Sequence, residues 1–134
     1  MNRTVICRAI TGSRFECRIS DVHGYVFAFH GFYDWRNVAI CKAVCEGGDT
    51  VIEVGANIGT ETVCFADIVG RSGRVIALEP DRVNYQSLVR MIELNAFSQV
   101  EAHCCAAGAE DGEVRFLPSP DRNLSGIGYV QKAN

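Results

Sequence analysis

Residues 51–62 read VIEVGANIGTET. An apolar, strand-forming run ends at two glycines four residues apart, and a helical segment follows. A strand that breaks into a glycine turn and feeds a helix is the opening unit of a parallel sheet. The alternation continues: the helix GTETVCFADIVG closes at Gly70, GRVIALE is the next strand, PDRVNYQSLVRMIELNA is a long helix that starts at Pro80 and Asp81 and ends near Asn95, and QVEAHCCAA is a third strand. These strands are apolar on both faces, so the pattern predicts a parallel sheet covered by helices. Right-handed crossovers would set the strands side by side in the order third, second, first.

Upstream, TVICRAI and RFECRI flank TGS, which predicts a β-hairpin. GYVFAFHGF, apolar and aromatic, has the composition of another strand. YDWRNVAICKAVCEGGD turns to helical periodicity, with Asp34 as N-cap, Val38, Cys41, Val44 and Cys45 at steps of three and four, and Gly47 and Gly48 as the stop. After Gly108, AEDGEVRFL holds an acidic turn and a short strand, and PSPDRNLSGIGYVQKAN reads as loop with one more short strand at IGYV. With 134 residues the chain is expected to form a single domain, 1–134, divided into an N-terminal β region (1–33), a βαβαβ core (34–107) and an extended tail (108–134).

The net charge of −3 gives no electrostatic reason to expect nucleic acid or an anionic membrane as partner. MNRTVICRAITGSRFECRIS lacks the continuous apolar run of a signal peptide, and no window has the apolar length of a transmembrane helix, so a cytoplasmic protein is expected. The seven cysteines are odd in number and include no C-x-x-C pair. Cys41 and Cys45 lie four apart on the predicted helix, and His23, His30 and His103 would have to complete a zinc site. Reduced, buried thiols acting as small hydrophobes are the simpler reading, and no metal is expected. The three histidines read as ordinary strand or loop residues, and Trp35 with the aromatics at 25, 27, 29, 32 and 33 as packing residues.

The glycine turn carries the chemistry. A dinucleotide site has G-x-G-x-x-G between strand and helix, but here Gly55 is followed by Ala56 and Asn57, and the next glycine is Gly59. The middle glycine that lets the backbone approach a pyrophosphate is absent, and no G-K-[ST] follows to make a P-loop. A nicotinamide-dependent oxidoreductase is disfavoured accordingly. Glu53, at the end of the first strand, would repel a pyrophosphate but would suit a ligand with a positive amino group. S-adenosylmethionine is such a ligand: an α-amino group, a sulfonium and no phosphate. Glu79 ends the second strand, twenty-four residues beyond Gly55, where a carboxylate can accept from both ribose hydroxyls. The bland alternative is that the glycines serve strand-to-helix packing and Glu79 merely precedes a helix N-terminus, where acids are favoured.

The stretch from about Thr50 to Phe116 resembles the FkbM-type S-adenosylmethionine-dependent methyltransferases, through GANIG, ALEPD, the NYQSLVRMIELN helix and the AEDG turn. GFYDWRNVAICKAVCEGGD is similar to that family's lead-in. The resemblance implies an α/β, Rossmann-like parallel sheet with flanking helices, a partial methyltransferase fold preceded by the hairpin. It implies S-adenosylmethionine as cofactor, with Gly55 and Gly59 admitting its methionine part and Glu53 holding the amino group directly or through water. Ala56, Asn57 and Thr62 belong to the turn and helix start, Glu79 would bind the ribose, Pro80 would flank the adenine, and the backbone at Cys105, Ala106 and Ala107 would meet the adenine edge. The implied reaction is O-methylation of a hydroxyl on a small molecule or sugar; the alternative is a non-catalytic remnant that binds the cofactor or acts as an assembly module.

The family's next element, a strand like K-x-D-x-E-G, does not occur before Asn134. Only the cofactor-side half of the sheet is therefore expected, and no general base can be named. The first strand would become an apolar, unpaired edge, from which a homodimer or larger homo-oligomer is expected unless the hairpin or tail covers it.

Overall fold

The computed structural model describes residues 3–121 and 123–132. The elements run β1 (Thr4–Arg8), β2 (Arg14–Arg18), α1 (Val22–His30), α2 (Trp35–Val44), β3 (Thr50–Val54), α3 (Thr62–Val69), β4 (Arg74–Leu78), α4 (Arg82–Asn95), β5 (Val100–His103), β6 (Val114–Leu117) and β7 (Tyr129–Lys132). β3, β4 and β5 form a three-stranded parallel sheet in that order, with Val51 beside Val75 and Val75 beside Val100. This is the order that two right-handed crossovers in one direction require.

The two crossover helices cover one face of the sheet. Glu53, Val75 and Ala77 point into it and are buried. On the opposite face Ile52 and Val54 stay 65% and 64% exposed. The parallel sheet with flanking helices is the one the alternation predicts, and among the described residues α3 and α4 flank one side of it.

β1 and β2 pair antiparallel, with Cys7 opposite Phe15. They stand apart from the parallel sheet and add Phe15 and Cys17 to a core shared with Phe27, Val63, Leu88 and Met91. Phe15 and Phe27 lie 4.3 Å apart, centroid to centroid. Full burial of each such large side chain is worth about 1.5–3 kcal/mol, so this cluster does much to seat the hairpin and α1 on α4. A second cluster, Cys41, Phe65, Ala66, Val69 and Val75, binds α2 and α3 to the sheet.

One element differs in kind from the prediction. GYVFAFHGF lies mostly in α1 rather than a strand, so residues 1–33 are not an all-β region. Asp21 is its N-cap, with Oδ1 accepting from the backbone N–H groups of His23 (2.9 Å) and Gly24 (3.2 Å), and Gly31 closes it in the left-handed region at φ 73°. These end signals outweigh the β preference of its aromatic and β-branched residues. Of the aromatics expected to pack, Phe27 is buried, but Tyr25, Phe29 and Trp35 are at least half exposed. The stop of α2 falls at Cys45, earlier than the glycines. The tail is not merely extended: β6 and β7 pair antiparallel, Phe116 beside Val130, in a small sheet of their own.

Candidate functional site

Three positive φ angles fall within five residues after β3: Gly55 at 81°, Asn57 at 52° and Gly59 at 95°. The chain must therefore turn in the left-handed region repeatedly, which explains two of the three positions being glycine. The turn hangs from the end of β4, where Leu78 O accepts from the backbone N–H groups of both Gly55 and Ala56 at 2.9 Å. A Cβ on Gly59 would lie 3.0 Å from Leu88 Cδ1 and Met91 Cε, so the turn sits directly on α4. A Cβ on Gly55 would meet nothing within 4 Å, leaving open space above the backbone there.

Glu79 supports the same turn. Its Oε2 accepts from Asn57 N–H at 2.7 Å and its Oε1 from Asp81 N–H at 2.8 Å. Burial pushes its carboxyl above the ordinary range, and these two backbone donors oppose that push. The Asn84 side chain donates to the carboxylate as well, and a lone pair is left for a further donor. Asp81 in turn caps α4, accepting from Val83 N–H at 2.7 Å.

Glu53 faces inward from β3, 9% exposed, and its Oε2 accepts from Thr62 Oγ1 at 2.6 Å. Burial pushes its carboxyl up to about 8, the Thr62 hydroxyl counteracts this, and the nearby carboxyls of Glu61 and Glu79 add to it. Glu61 was not singled out from the sequence, although it stands inside the quoted GTET run. Its Oε1 accepts from Asp34 N–H at 3.1 Å, linking α2 to the turn, and Thr60 Oγ1 donates to its Oε2 at 2.9 Å. Burial raises it too. Three acids around one turn make a site that stabilises positive charge.

Beside Glu79 opens a cleft of about 770 Å3, lined by Pro80, Asp81, Tyr85, Cys105, Ala106 and Phe116 among others. Its volume lies within the range of small-molecule sites, about 300–1,000 Å3. Of the expected residues, Glu53, Gly55, Asn57, Gly59 and Glu79 are brought together at the strand ends, and Pro80 and Ala106 line the adjoining cleft. Ala56 is fully buried, so it offers only backbone to a ligand, and the Thr62 hydroxyl is taken up by Glu53. Ala107 is exposed and is not a wall of the cleft. A second cleft of about 720 Å3, between α2 and α3 and lined by Trp35, Val38 and Ile68, shares no residue with this one and holds none of the three acids at the turn.

Sequence reasoning also missed a cluster on the turn's other flank. Asp21, His23, Asn57, Asn84 and Ser125, drawn from four separate stretches, meet there. No short-range pattern announces such a meeting, since its members lie up to 104 residues apart.

Residues 38–114 match the model of the protein-L-isoaspartate(D-aspartate) O-methyltransferase family. No curated protein matches the chain. Among solved structures it is similar to M. jannaschii TYW2 in complex with AdoMet (19% identity, TM-score 0.55, 76% of this chain and 43% of that one). It is also similar to an S-adenosylmethionine-dependent O-methyltransferase from Thermotoga maritima (19%, 0.52, 75% and 40%) and to aTrm5 in its complex with tRNALeu (16%, 0.53, 75% and 27%). At these identities the likeness is one of fold, and the chain spans less than half the length of each. The tRNA complex overturns the exclusion of nucleic acid drawn from the net charge. A chain-wide charge averages over the surface and cannot report a local face, nor an acceptor region beyond the part that matches. The accompanying expectations of a small-molecule or sugar acceptor and of a homo-oligomer are withdrawn with it. Among the described residues no helix is long and apolar enough to cross a membrane.

Proposed function

The chain belongs to the protein-L-isoaspartate(D-aspartate) O-methyltransferase family, and from that premise we propose that it binds S-adenosylmethionine at the C-terminal ends of β3 and β4 for methyl transfer. The observation that carries this reading is the convergence of Glu53, the Gly55–Gly59 turn and Glu79 on one crevice, next to a cleft of about 770 Å3.

The residues fit the group. A buried acid raised to about 8 is a poor neighbour for phosphate and a good one for an ammonium. Glu53 takes the amino group. The spare lone pair of Glu79 takes a ribose hydroxyl. Pro80 and the backbone near Ala106 flank the adenine in the cleft, and the open space over Gly55 admits the methionine part. When bound, the cofactor supplies an electrophilic methyl carbon on a sulfonium. The protein's contribution is to hold that carbon in line with an acceptor atom, which is where most of the rate of such a displacement comes from.

GANIG and ALEPD support the FkbM type within the methyltransferase fold, and the matching family's chemistry supports transfer to oxygen. A cytoplasmic setting is supported by seven cysteines that all stand free. The test is titration calorimetry with S-adenosylhomocysteine and, separately, NAD. Binding of the first alone supports the proposal; binding of NAD alone, or of neither, overturns it.

A further inference from the structure

Ser125 is 6% exposed, and three segments of the body reach it. Its backbone N–H donates to Asp21 Oδ2 at 3.4 Å, and its carbonyl accepts from Asn84 Nδ2 at 3.1 Å. Its hydroxyl donates to Asn57 Oδ1 at 3.3 Å and lies 3.4 Å from His23 Nδ1. One hydroxyl has one proton, so these contacts are jointly satisfied when His23 Nδ1–H donates to Ser125 Oγ and Ser125 O–H donates to Asn57. Burial lowers the His23 pKa below its ordinary value, which suits a neutral ring with a single N–H. Asn57 Oδ1 also accepts from Ile58 N–H at 2.7 Å, so the chain of contacts ends on the backbone of the glycine turn. Nearby, Val22 N–H donates to Asn123 O at 3.0 Å.

The passage beside Ser125 is narrow. A Cβ on Gly126 would lie 2.7 Å from His23 Cε1 and 3.3 Å from Asn57 Nδ2. Before this point, Val114, Arg115, Phe116 and Pro118 of the same tail line the cleft beside Glu79. The tail therefore touches both ends of the proposed cofactor crevice. It walls the cleft without filling it, since about 770 Å3 stays free.

We propose that the tail is a clasp over the bound cofactor, with Ser125 as the positioning residue that fastens residues 123–127 to Asn57 of the turn. This inference rests on the cofactor reading above. Among the described residues β6 and β7 pair only with each other, so there the tail has no ladder to the main sheet, and the polar contacts at Asn123 and Ser125 do the fastening. A ligand lying between Glu53 and the adenine cleft is then enclosed from the tail side, and it leaves when the clasp opens.

The test is the dissociation rate of S-adenosylhomocysteine, by stopped-flow, from the full chain and from the Ser125→Ala and Gly126→Ala variants. Ser119→Ala is the control, because the Ser119 hydroxyl bonds within the tail, to Asp121 O at 2.9 Å. Removing one such hydrogen bond should speed release about tenfold with little change in the association rate. Gly126→Ala should do the same by prising the passage open, and Ser119→Ala should not. In the wild type, the ligand should slow amide hydrogen exchange at 123–127. Release rates within twofold of wild type in both variants, tighter binding by either, or exchange at 123–127 unmoved by ligand would overturn the clasp while leaving the cofactor reading intact. No binding of S-adenosylhomocysteine to the wild type would overturn both.

Discussion

Thr62 Oγ1 and Glu53 Oε2 meet at 2.6 Å, joining the first residue of α3 to the penultimate residue of β3 across the glycine turn. Both are buried. The bond closes the turn from below and leaves the acid with one tie to the protein and a strong tendency to hold its proton.

That tendency predicts proton release on binding. With its carboxyl pushed up to about 8, Glu53 is mostly protonated at pH 7 in the free chain. An ammonium beside it favours the carboxylate, so binding S-adenosylhomocysteine at pH 7 should release close to ~1 proton, and affinity should rise with pH up to about 8. Calorimetry in buffers of different ionisation enthalpy measures the release directly. Glu53→Gln should abolish it.

The same acid sets a pH dependence of stability. Its folded pKa lies above the ordinary carboxylate value, so its favourable contribution is complete below about 4.5 and is lost as pH rises to about 8. Above that range the fold must carry a buried anion. Relative to Glu53→Gln, the wild type should lose on the order of a few kcal/mol between pH 4.5 and pH 8. Urea denaturation of both proteins at pH 5 and pH 9 checks this; equal differences at the two pH values would contradict it.

Glu79→Ala should weaken S-adenosylhomocysteine binding by about one to two orders of magnitude, the worth of a charge-assisted hydrogen bond. Glu79→Gln should not restore it. Both Glu79 oxygens accept from backbone N–H groups, of Asn57 and Asp81. A carboxamide puts a second donor against one of those two N–H groups. Calorimetry on both variants separates this from a simple loss of charge.

Alanine at the two turn glycines should act differently. At Gly59 the methyl meets Leu88 and Met91 at 3.0 Å with φ at 95°, so strain and packing combine, at a cost of about 1–3 kcal/mol of stability. At Gly55, with φ 81° and free space above, only the backbone term applies, about 1–2 kcal/mol, but the methyl enters the proposed path of the cofactor. Gly59→Ala should therefore lower the melting temperature more, and Gly55→Ala should lower affinity more.

Iodoacetamide should label Cys104 and Cys105 first. Both are exposed, and Cys105 is a wall of the cleft beside Glu79. Burial pushes Cys41 up to about 12 and Cys64 up to about 11, which leaves little thiolate to react. Peptide mass mapping gives the order, and S-adenosylhomocysteine should protect Cys105.

The parallel core was legible because its signals are local. Asp34 and Asp81 cap helices where the sequence placed caps, and Gly70 ends α3. The strand order followed from handedness alone. α1 was not legible as a helix because Val22, Tyr25, Val26, Phe27, Ala28 and Phe29 are apolar almost all round, which hides the helical period. Asp21 and Gly31, one residue beyond each end, were the available signal. Glu53 and Glu79 could be named from their places at strand ends. Ser125 and Asn84 could not, because only the closed fold brings a tail serine and a helix asparagine to one turn.

The bare side of the sheet has a colloidal consequence. Ile52 and Val54 present a hydrocarbon stripe to water, bordered on the same face by Arg74 and Glu101, which pair with each other. Sulfate and similar salts raise the cost of wetting such a stripe, and they screen the charges at its border. Ammonium sulfate should therefore precipitate this chain at lower concentration than an otherwise equal chain with Thr at positions 52 and 54, and a surface-sensitive dye should brighten on the wild type in proportion to the uncovered stripe.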